Sequence, residues 1–116
     1  MSKSISELVT EYRQNALQHG AATATGDHKS ANEHHDGLMA AVRRLREKGT
    51  QGSQALLPLL DDQNQSVRCW AATHCLDFAE GRARRTLVDL AAESGIVGFT
   101  AETVLSEWDK GTLSIP

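Results

Sequence analysis

The sequence predicts an all-α protein. Six segments place apolar residues at the three- and four-residue spacing of an amphipathic helix, and none shows the alternation of a strand. Aromatic residues make up only 4% of the 116 residues, which favours a core of closely packed Leu, Ala and Val side chains over a sheet. Most breaks between the segments are short, so consecutive helices are expected to be antiparallel neighbours.

Two of the six helices are expected in the first half of the chain. The first should cover residues 4–18, because Ser4 and Glu7 have the spacing of a capping box. Residues 20–26 are small and glycine-flanked, and they are predicted to form a loop. The second helix should cover residues 27–48 and stop where a glycine follows.

The second half of the sequence predicts four more helices, over residues 53–60, 65–78, 81–93 and 100–109. Pro58 implies a kink or a late start in the first of these. Glycines predict turns at 49–52 and 95–98, and a stop at Gly111. The apolar stripe expected on the fourth helix consists of Val67, Trp70, Ala71, His74, Cys75 and Phe78.

Length and composition predict one domain over residues 1–116 in a reducing compartment. A chain of this length is a typical single domain. Cys69 and Cys75 lie on one predicted helix about 240° apart around its axis, so they cannot readily bridge each other. The chain has no apolar run of signal-peptide or membrane-span length. We therefore expect a cytoplasmic protein without a membrane partner.

The charge pattern is only weak evidence for a partner of strong opposite charge. The net charge is −3, with a basic middle over residues 43–85 and an acidic end over residues 86–116. Solvated helix faces explain this distribution better than a nucleic-acid footprint, which usually accompanies a strongly basic domain.

The segment 56–76 resembles one unit of a HEAT-type helical repeat. An apolar helix end is followed by Asp62 in a polar turn, and Val67-Arg68 opens the next helix. A weaker second copy matches Leu57, Leu60, Val67, Ala71 and Leu76 with Leu87, Leu90, Phe99, Ala101 and Leu105. The resemblance implies a HEAT-like α-α superhelix, in which helix pairs stack to bury their apolar faces.

The chain from residue 5 to about residue 113 also resembles a small bacterial family catalogued as domain of unknown function 2019. The segments that carry this resemblance are 26–32, Leu45-Arg46 with Gly49, 56–60, Val67-Arg68 with 71–74, Gly98-Phe99, and Ala101-Glu102 to Glu107-Trp108. It implies a HEAT-like fold, but no reaction and no cofactor. Some relatives of this kind look as if they are encoded beside secreted bacterial toxins, and that position would imply an immunity role.

Two groups of residues are candidates for a functional site. The partner-binding candidates are Arg43, Arg46, Arg68, Trp70, Arg84, Arg85, Glu107 and Trp108. Of these, Arg68 either bonds Asp62 or a helix end or serves a partner, and the tryptophans are either core residues or interface anchors. The second group opens the second helix and consists of Asp27, Lys29, Asn32, His35 and Asp36. The simpler interpretation of the first three is a helix cap with a first-turn carboxylate, and that of the other two is a solvated helix start with one inward histidine.

The histidines do not predict a metal or catalytic site. His28 and His35 are seven residues apart, about 10.5 Å along a helix, and adjacent His34 and His35 diverge by about 100°. One metal ion could not comfortably take two of them as ligands. His74 lies on an apolar stripe and is expected to be a hydrogen-bonded core histidine.

These patterns leave three hypotheses for function. The leading one is a non-enzymatic protein-binding module without a cofactor, and its sharpest form is an immunity protein against a bacterial toxin domain. The alternative is a nucleic-acid-binding protein that uses the basic region Arg43–Arg85, with Arg46, Arg82 and Arg84. The third is a metal-dependent enzyme using the segment 28–36.

Overall fold

The computed structural model describes residues 3–116, and over that range the protein is all-α, as the sequence predicts. No strand occurs among the described residues. The helices are α1 (Ile5–Thr25), α2 (His28–Glu47), α3 (Thr50–Gln54), α4 (Gln65–Cys75), α5 (Glu80–Ala91) and α6 (Ile96–Lys110). A 3₁₀ helix covers Leu57–Asp61, between α3 and α4. None of the helices in residues 3–116 is long and apolar enough to cross a membrane.

The chain divides into two compact units. The first ends at Pro58 and also includes Pro116, and the second covers Leu59–Ile115. The boundary falls inside the segment that the sequence predicted as a third helix. A single domain over residues 1–116 stays a prediction.

Helix α1 continues through the predicted loop at residues 20–26, so that prediction was wrong. Alanine is the strongest helix former, and three alanines in this stretch outweigh the cost of about 1 kcal/mol for a glycine within a helix. The hydroxyl groups of Thr23 and Thr25 donate back to carbonyls one turn earlier, at 2.8 Å and 3.2–3.3 Å. The helix ends at Gly26, whose φ of +75° provides a left-handed cap.

Only Gly26 and Asp27 separate α1 from α2, and the two helices form a hairpin. Its core consists of Leu8, Tyr12 and Ala16 from α1 with Leu38, Ala41, Val42 and Leu45 from α2. The two helices are close at Gly37, because a Cβ atom there would lie 2.5 Å from the side-chain oxygen Oδ1 of Asn15. The predicted capping box of Ser4 and Glu7 is present, and it lowers the pKa of Glu7 through the hydrogen bonds from Ser4.

The predicted third helix over residues 53–60 is replaced by two shorter elements, α3 and the 3₁₀ helix. Pro58 explains the break, since it has no backbone N–H and disfavours α-helical backbone at Leu57. Residues 50–52, predicted as a turn, belong to α3. Gly52 is buried there, and a Cβ atom would overlap the carbonyl oxygen of Leu45.

The second unit consists of α4, α5 and α6, which pack on one another. Its buried core includes Val67, Ala71, Cys75, Leu87, Leu90 and Ala101. Helix α4 begins after Asn64, whose side chain accepts a hydrogen bond from the Val67 N–H at 3.0 Å. It ends at Cys75, so Phe78 lies outside it and is 37% exposed, and its prediction as a stripe residue was wrong.

Helix α6 begins at Ile96, four residues earlier than predicted, and the turn predicted at residues 95–98 was wrong. Only Gly95 has turn geometry, with a φ of +105°. Gly98 lies inside the helix. The position requires a glycine, because a Cβ atom there would overlap the carbonyl oxygen of Glu93 and crowd that of Leu90. Phe99, predicted as a core position of the second repeat, is 71% exposed.

Candidate functional site

A charged cleft of about 440 Å³ opens in the second unit, and it is our candidate functional site. It lies between the 3₁₀ helix with the turn that follows it and one face of α5, with the start of α4 beside them. The residues that line it are Leu60, Asp61, Asp62, Arg68, Arg82, Arg85, Thr86, Asp89, Leu90 and Glu93.

The wall that precedes α4 is held by hydrogen bonds. Arg68 Nη1 donates to the backbone carbonyls of Asp62 at 2.7 Å and Gln63 at 3.1 Å. The Asp62 carboxylate accepts from the Asn64 N–H at 2.9 Å. Arg68 therefore satisfies carbonyls at the end of the turn, which agrees with the predicted contact to Asp62, although the acceptor is the backbone. The side chains of Arg68 and Asp62 are therefore both used in hydrogen bonds to the backbone of this turn.

The opposite wall is a single face of α5. Arg82, Arg85 and Asp89 follow one another at three- and four-residue steps, while Leu87 and Leu90 are buried in the core. The Thr86 hydroxyl donates to the Arg82 carbonyl at 3.1 Å, so it is used within the helix. This periodicity is why α5 presents guanidinium and carboxylate groups to the cleft.

Charges at the edges of the cleft are partly paired. Arg82 Nη2 lies 3.7 Å from Asp61 Oδ2, and both side chains are well exposed, so this ion pair is weak. Glu93 accepts a hydrogen bond from Gln65 Nε2. Neither the Arg85 guanidinium nor the Asp89 carboxylate has a hydrogen bond or ion pair with any residue in 3–116. These two groups are the available charges of the site.

The lining determines which chemistry the cleft supports. Three arginines and four carboxylates give it a net charge of −1. It contains no His, Cys or Ser that could pair as a nucleophile and base. The arrangement suits ionic recognition of a ligand that carries charge of both signs.

The predicted partner-binding residues do not form one group. Arg68 and Arg85 line the cleft, whereas Arg84 pairs with the Asp109 carboxylate between α5 and α6. Trp108 is half-buried and its Nε1 donates to Glu80 Oε2 at 2.9 Å, also between these helices. Both residues therefore have a packing role in the second unit.

The remaining partner-binding candidates lie elsewhere. Glu107 is exposed on α6, and Trp70 is half-buried on α4 with its ring stacked on His74 at a centroid distance of 5.8 Å. Arg43 and Arg46 belong to α2 in the first unit, where Arg43 is exposed and Arg46 is half-buried and interacts within the fold. His74 is buried, as expected for a core histidine.

The start of the second helix is mainly a cap. Asp27 accepts a hydrogen bond from the Ser30 N–H at 3.1 Å, which confirms its predicted capping role. Lys29, Asn32 and Asp36 are exposed, with Asp36 lying 3.8 Å from His35 Nδ1.

Three histidines meet where α1 faces α2. The rings of His19 and His35 are 6.3 Å apart, and His34 Nδ1 lies 3.1 Å from Asn15 Oδ1. Partial burial lowers the pKa of His19, and the nearby charges of His35 and His34 lower it further. In the described part of the chain, no group of three or more His, Cys, Asp or Glu side chains could hold a metal ion. His19 was missed because its neighbours come from another helix.

Cys69 and Cys75 are buried on α4 as thiols and do not form a disulfide. Burial raises the pKa of the Cys69 thiol to about 11. A thiol with so high a pKa is almost entirely protonated at neutral pH and is therefore a poor nucleophile.

Sequence reasoning missed part of the cleft. Arg82 was considered only with the basic region, and Asp89 and Glu93 were assigned to an acidic end of the chain. The signal was present in the spacing of Arg82, Arg85 and Asp89, which share one helix face. The spacing could not predict which part of the chain forms the wall opposite that face.

The chain is similar in structure to the protein RPA1889 from Rhodopseudomonas palustris CGA009, known from its crystal structure. The two share a TM-score of 0.91 and 21% sequence identity, over 99% of this chain and 96% of that chain. At this identity the likeness shows the fold alone. Neither a protein-family model nor a curated protein matches the sequence. The resemblance to domain of unknown function 2019 stays a prediction.

Proposed function

We propose that this protein is a non-enzymatic protein-binding module that uses the cleft of its second unit to bind a partner polypeptide. The observation that carries the proposal is the pair of available charges, Arg85 and Asp89, inside a cleft of about 440 Å³. A cleft of this size admits one or two side chains of a partner. A polar cleft of this kind differs from the mostly apolar pockets that bind small molecules.

The sharpest form of the proposal is an immunity protein whose partner is a bacterial toxin domain, in the cytoplasm. It draws on the HEAT-like helix pairs and the family resemblance described from the sequence. HEAT-like scaffolds present extended surfaces to macromolecules, and the cleft between the 3₁₀ helix and α5 would be the contact point on this one.

The lining of the cleft and the pairing of Arg84 outside it argue against the other hypotheses. Its four carboxylates would repel phosphate groups, and Arg84 of the predicted basic region is paired with Asp109. The hydroxyl of the lining, that of Thr86, is already hydrogen-bonded within α5, and the lining has no His, Cys or Ser to act with it or with the carboxylates. We therefore favour binding over catalysis and protein over nucleic acid.

The test is co-expression with the products of neighbouring genes, followed by affinity capture and a growth-protection assay. We expect one neighbour to be captured by the wild type and not by Arg85→Glu. The matched control is Arg44→Glu, which makes the same charge change at an exposed arginine in the first unit. Absence of capture of every neighbour would contradict the proposal, as would equal capture by wild type and Arg85→Glu. Retention of DNA or RNA on a filter at low salt would favour the nucleic-acid hypothesis instead.

A further inference from the structure

Arg85 and Asp89 are opposite charges one helical turn apart that do not pair with each other. Side chains at positions i and i+4 of a helix are neighbours, about 6 Å apart along the axis, and oppositely charged ones commonly interact. The favourable order places the acid before the base, whereas here the base comes first. The guanidinium of Arg85 and the carboxylate of Asp89 therefore both remain available in the cleft, where each can bind an oppositely charged group of a ligand.

The other charges of the cleft have partners, of which the exposed ion pair of Arg82 and Asp61 is the weakest. Arg68 is held by two backbone carbonyls, Asp62 by the Asn64 N–H, and Glu93 by Gln65. The unpaired charges left for a ligand are thus one guanidinium and one carboxylate, a helical turn apart on α5.

We infer that the cleft selects a helical segment of the partner that carries a carboxylate and a cationic side chain one turn apart. This inference rests on the proposed function. Arg85 would form a bidentate ion pair with the partner's carboxylate, and Asp89 would accept hydrogen bonds from the partner's ammonium or guanidinium group. The spacing of the pair on α5 matches the spacing of such a pair on another helix.

Segments of a single charge sign are disfavoured by the same residues. A segment with only carboxylates would bring a second negative charge against Asp89, and one with only cations would face Arg85. Like charges in contact are unfavourable at an interface, so the cleft rejects such segments as well as attracting the mixed one.

The probes are three blocked peptides that form helices. One repeats Glu-Ala-Ala-Ala-Lys, and in the others Gln replaces either every Lys or every Glu. Binding is followed by amide chemical shifts of the isotope-labelled full chain. We expect shifts to concentrate at residues 82–93, and the mixed peptide to bind about two- to fivefold more tightly than either single-sign peptide, the contribution of one partly exposed ion pair.

Two charge-reversal variants test whether Arg85 and Asp89 determine which peptide binds most tightly. Arg85→Glu should change the preference to the lysine-only peptide, and Asp89→Arg should change it to the glutamate-only peptide. Arg44→Glu, outside the cleft, should retain the wild-type ranking. Equal binding of the three peptides, no shift at residues 82–93, or an unchanged ranking in both reversals would each overturn the inference.

The captured partner distinguishes this inference from the proposed function. Loss of capture by both Arg85→Glu and Asp89→Arg supports the dipolar recognition. Loss by Arg85→Glu alone leaves the protein-binding function standing and overturns the inference. Loss by neither variant overturns both.

Discussion

Replacing Gly98 by alanine should destabilise the second unit, because α6 touches the end of α5 at this position. A Cβ atom on Gly98 would overlap the carbonyl oxygen of Glu93 and lie 3.1 Å from that of Leu90. Backbone carbonyls cannot rotate away as a flexible side chain can, so the two helices would have to separate. Glu93 and Leu90 also line the cleft, so the change would disturb the site.

The expected magnitude follows from two opposing effects. Overpacking of a tight contact costs roughly 1–3 kcal/mol, and a clash with backbone belongs at the upper end, ~3 kcal/mol. Alanine's higher helix propensity offsets ~1 kcal/mol of this. The net loss in the free energy of unfolding should be about 2 kcal/mol.

The matched control is Gly81→Ala in α5. Gly81 is also helical, has no positive φ, and a Cβ atom on it would meet nothing within 4 Å. This variant should keep or raise the free energy of unfolding, by up to ~1 kcal/mol.

Urea unfolding followed by tryptophan fluorescence measures the effect where it should occur, because Trp70 and Trp108 both lie in the second unit. With a typical slope of about 1–2 kcal/mol/M, the midpoint of Gly98→Ala should fall by roughly 1–2 M. A midpoint equal to that of the wild type would refute the close contact at Gly98. An equal loss in Gly81→Ala would show that the cause is not the overlap.

Three further outcomes are expected. Since folding lowers the pKa of His19 below 6.5, the unfolded chain binds more protons as the pH falls below that value, and stability decreases. The protection factors of α1 amides, which correct for the intrinsic pH dependence of exchange, should therefore fall towards pH 5.5 more than in His19→Gln, which still faces His34 and His35. Cys69, with its pKa raised to about 11, should react with a thiol reagent at pH 8 far more slowly in the native protein than in urea, and equal rates would contradict its burial. Arg68→Ala should lower the free energy of unfolding by roughly 1–3 kcal/mol in a urea titration because it leaves two carbonyls without their donor, and an unchanged midpoint would show that these bonds are dispensable.

Signals that act within a few residues predicted much of the fold. The capping box at Ser4 and Glu7, the cap at Asp27 and the stop at Gly111 are all present. Each depends on hydrogen bonds between near neighbours in the chain, so the sequence alone contains the information.

The errors arose where a glycine was interpreted as a break. Gly20 and Gly98 both lie inside helices. A glycine is needed at position 98 because the end of α5 and the turn after it leave no room for a side chain, and that contact is visible only once α5 and α6 are packed. The cleft was missed in part for the same reason: helix spacing places Arg85 and Asp89 on one face, but only the fold brings the 3₁₀ helix opposite them.

The connection of two residues between α1 and α2 has a consequence for how the chain acquires its structure. The contacts of this hairpin join residues that are near in sequence, so little entropy is lost in closing it, and such local topology forms quickly. On the ribosome, α1 and α2 are synthesised before the second unit begins at residue 59, so they leave the exit tunnel first. We therefore expect the amino-terminal hairpin to shield its leucines from aggregation early, while the tryptophan-containing part is still being translated.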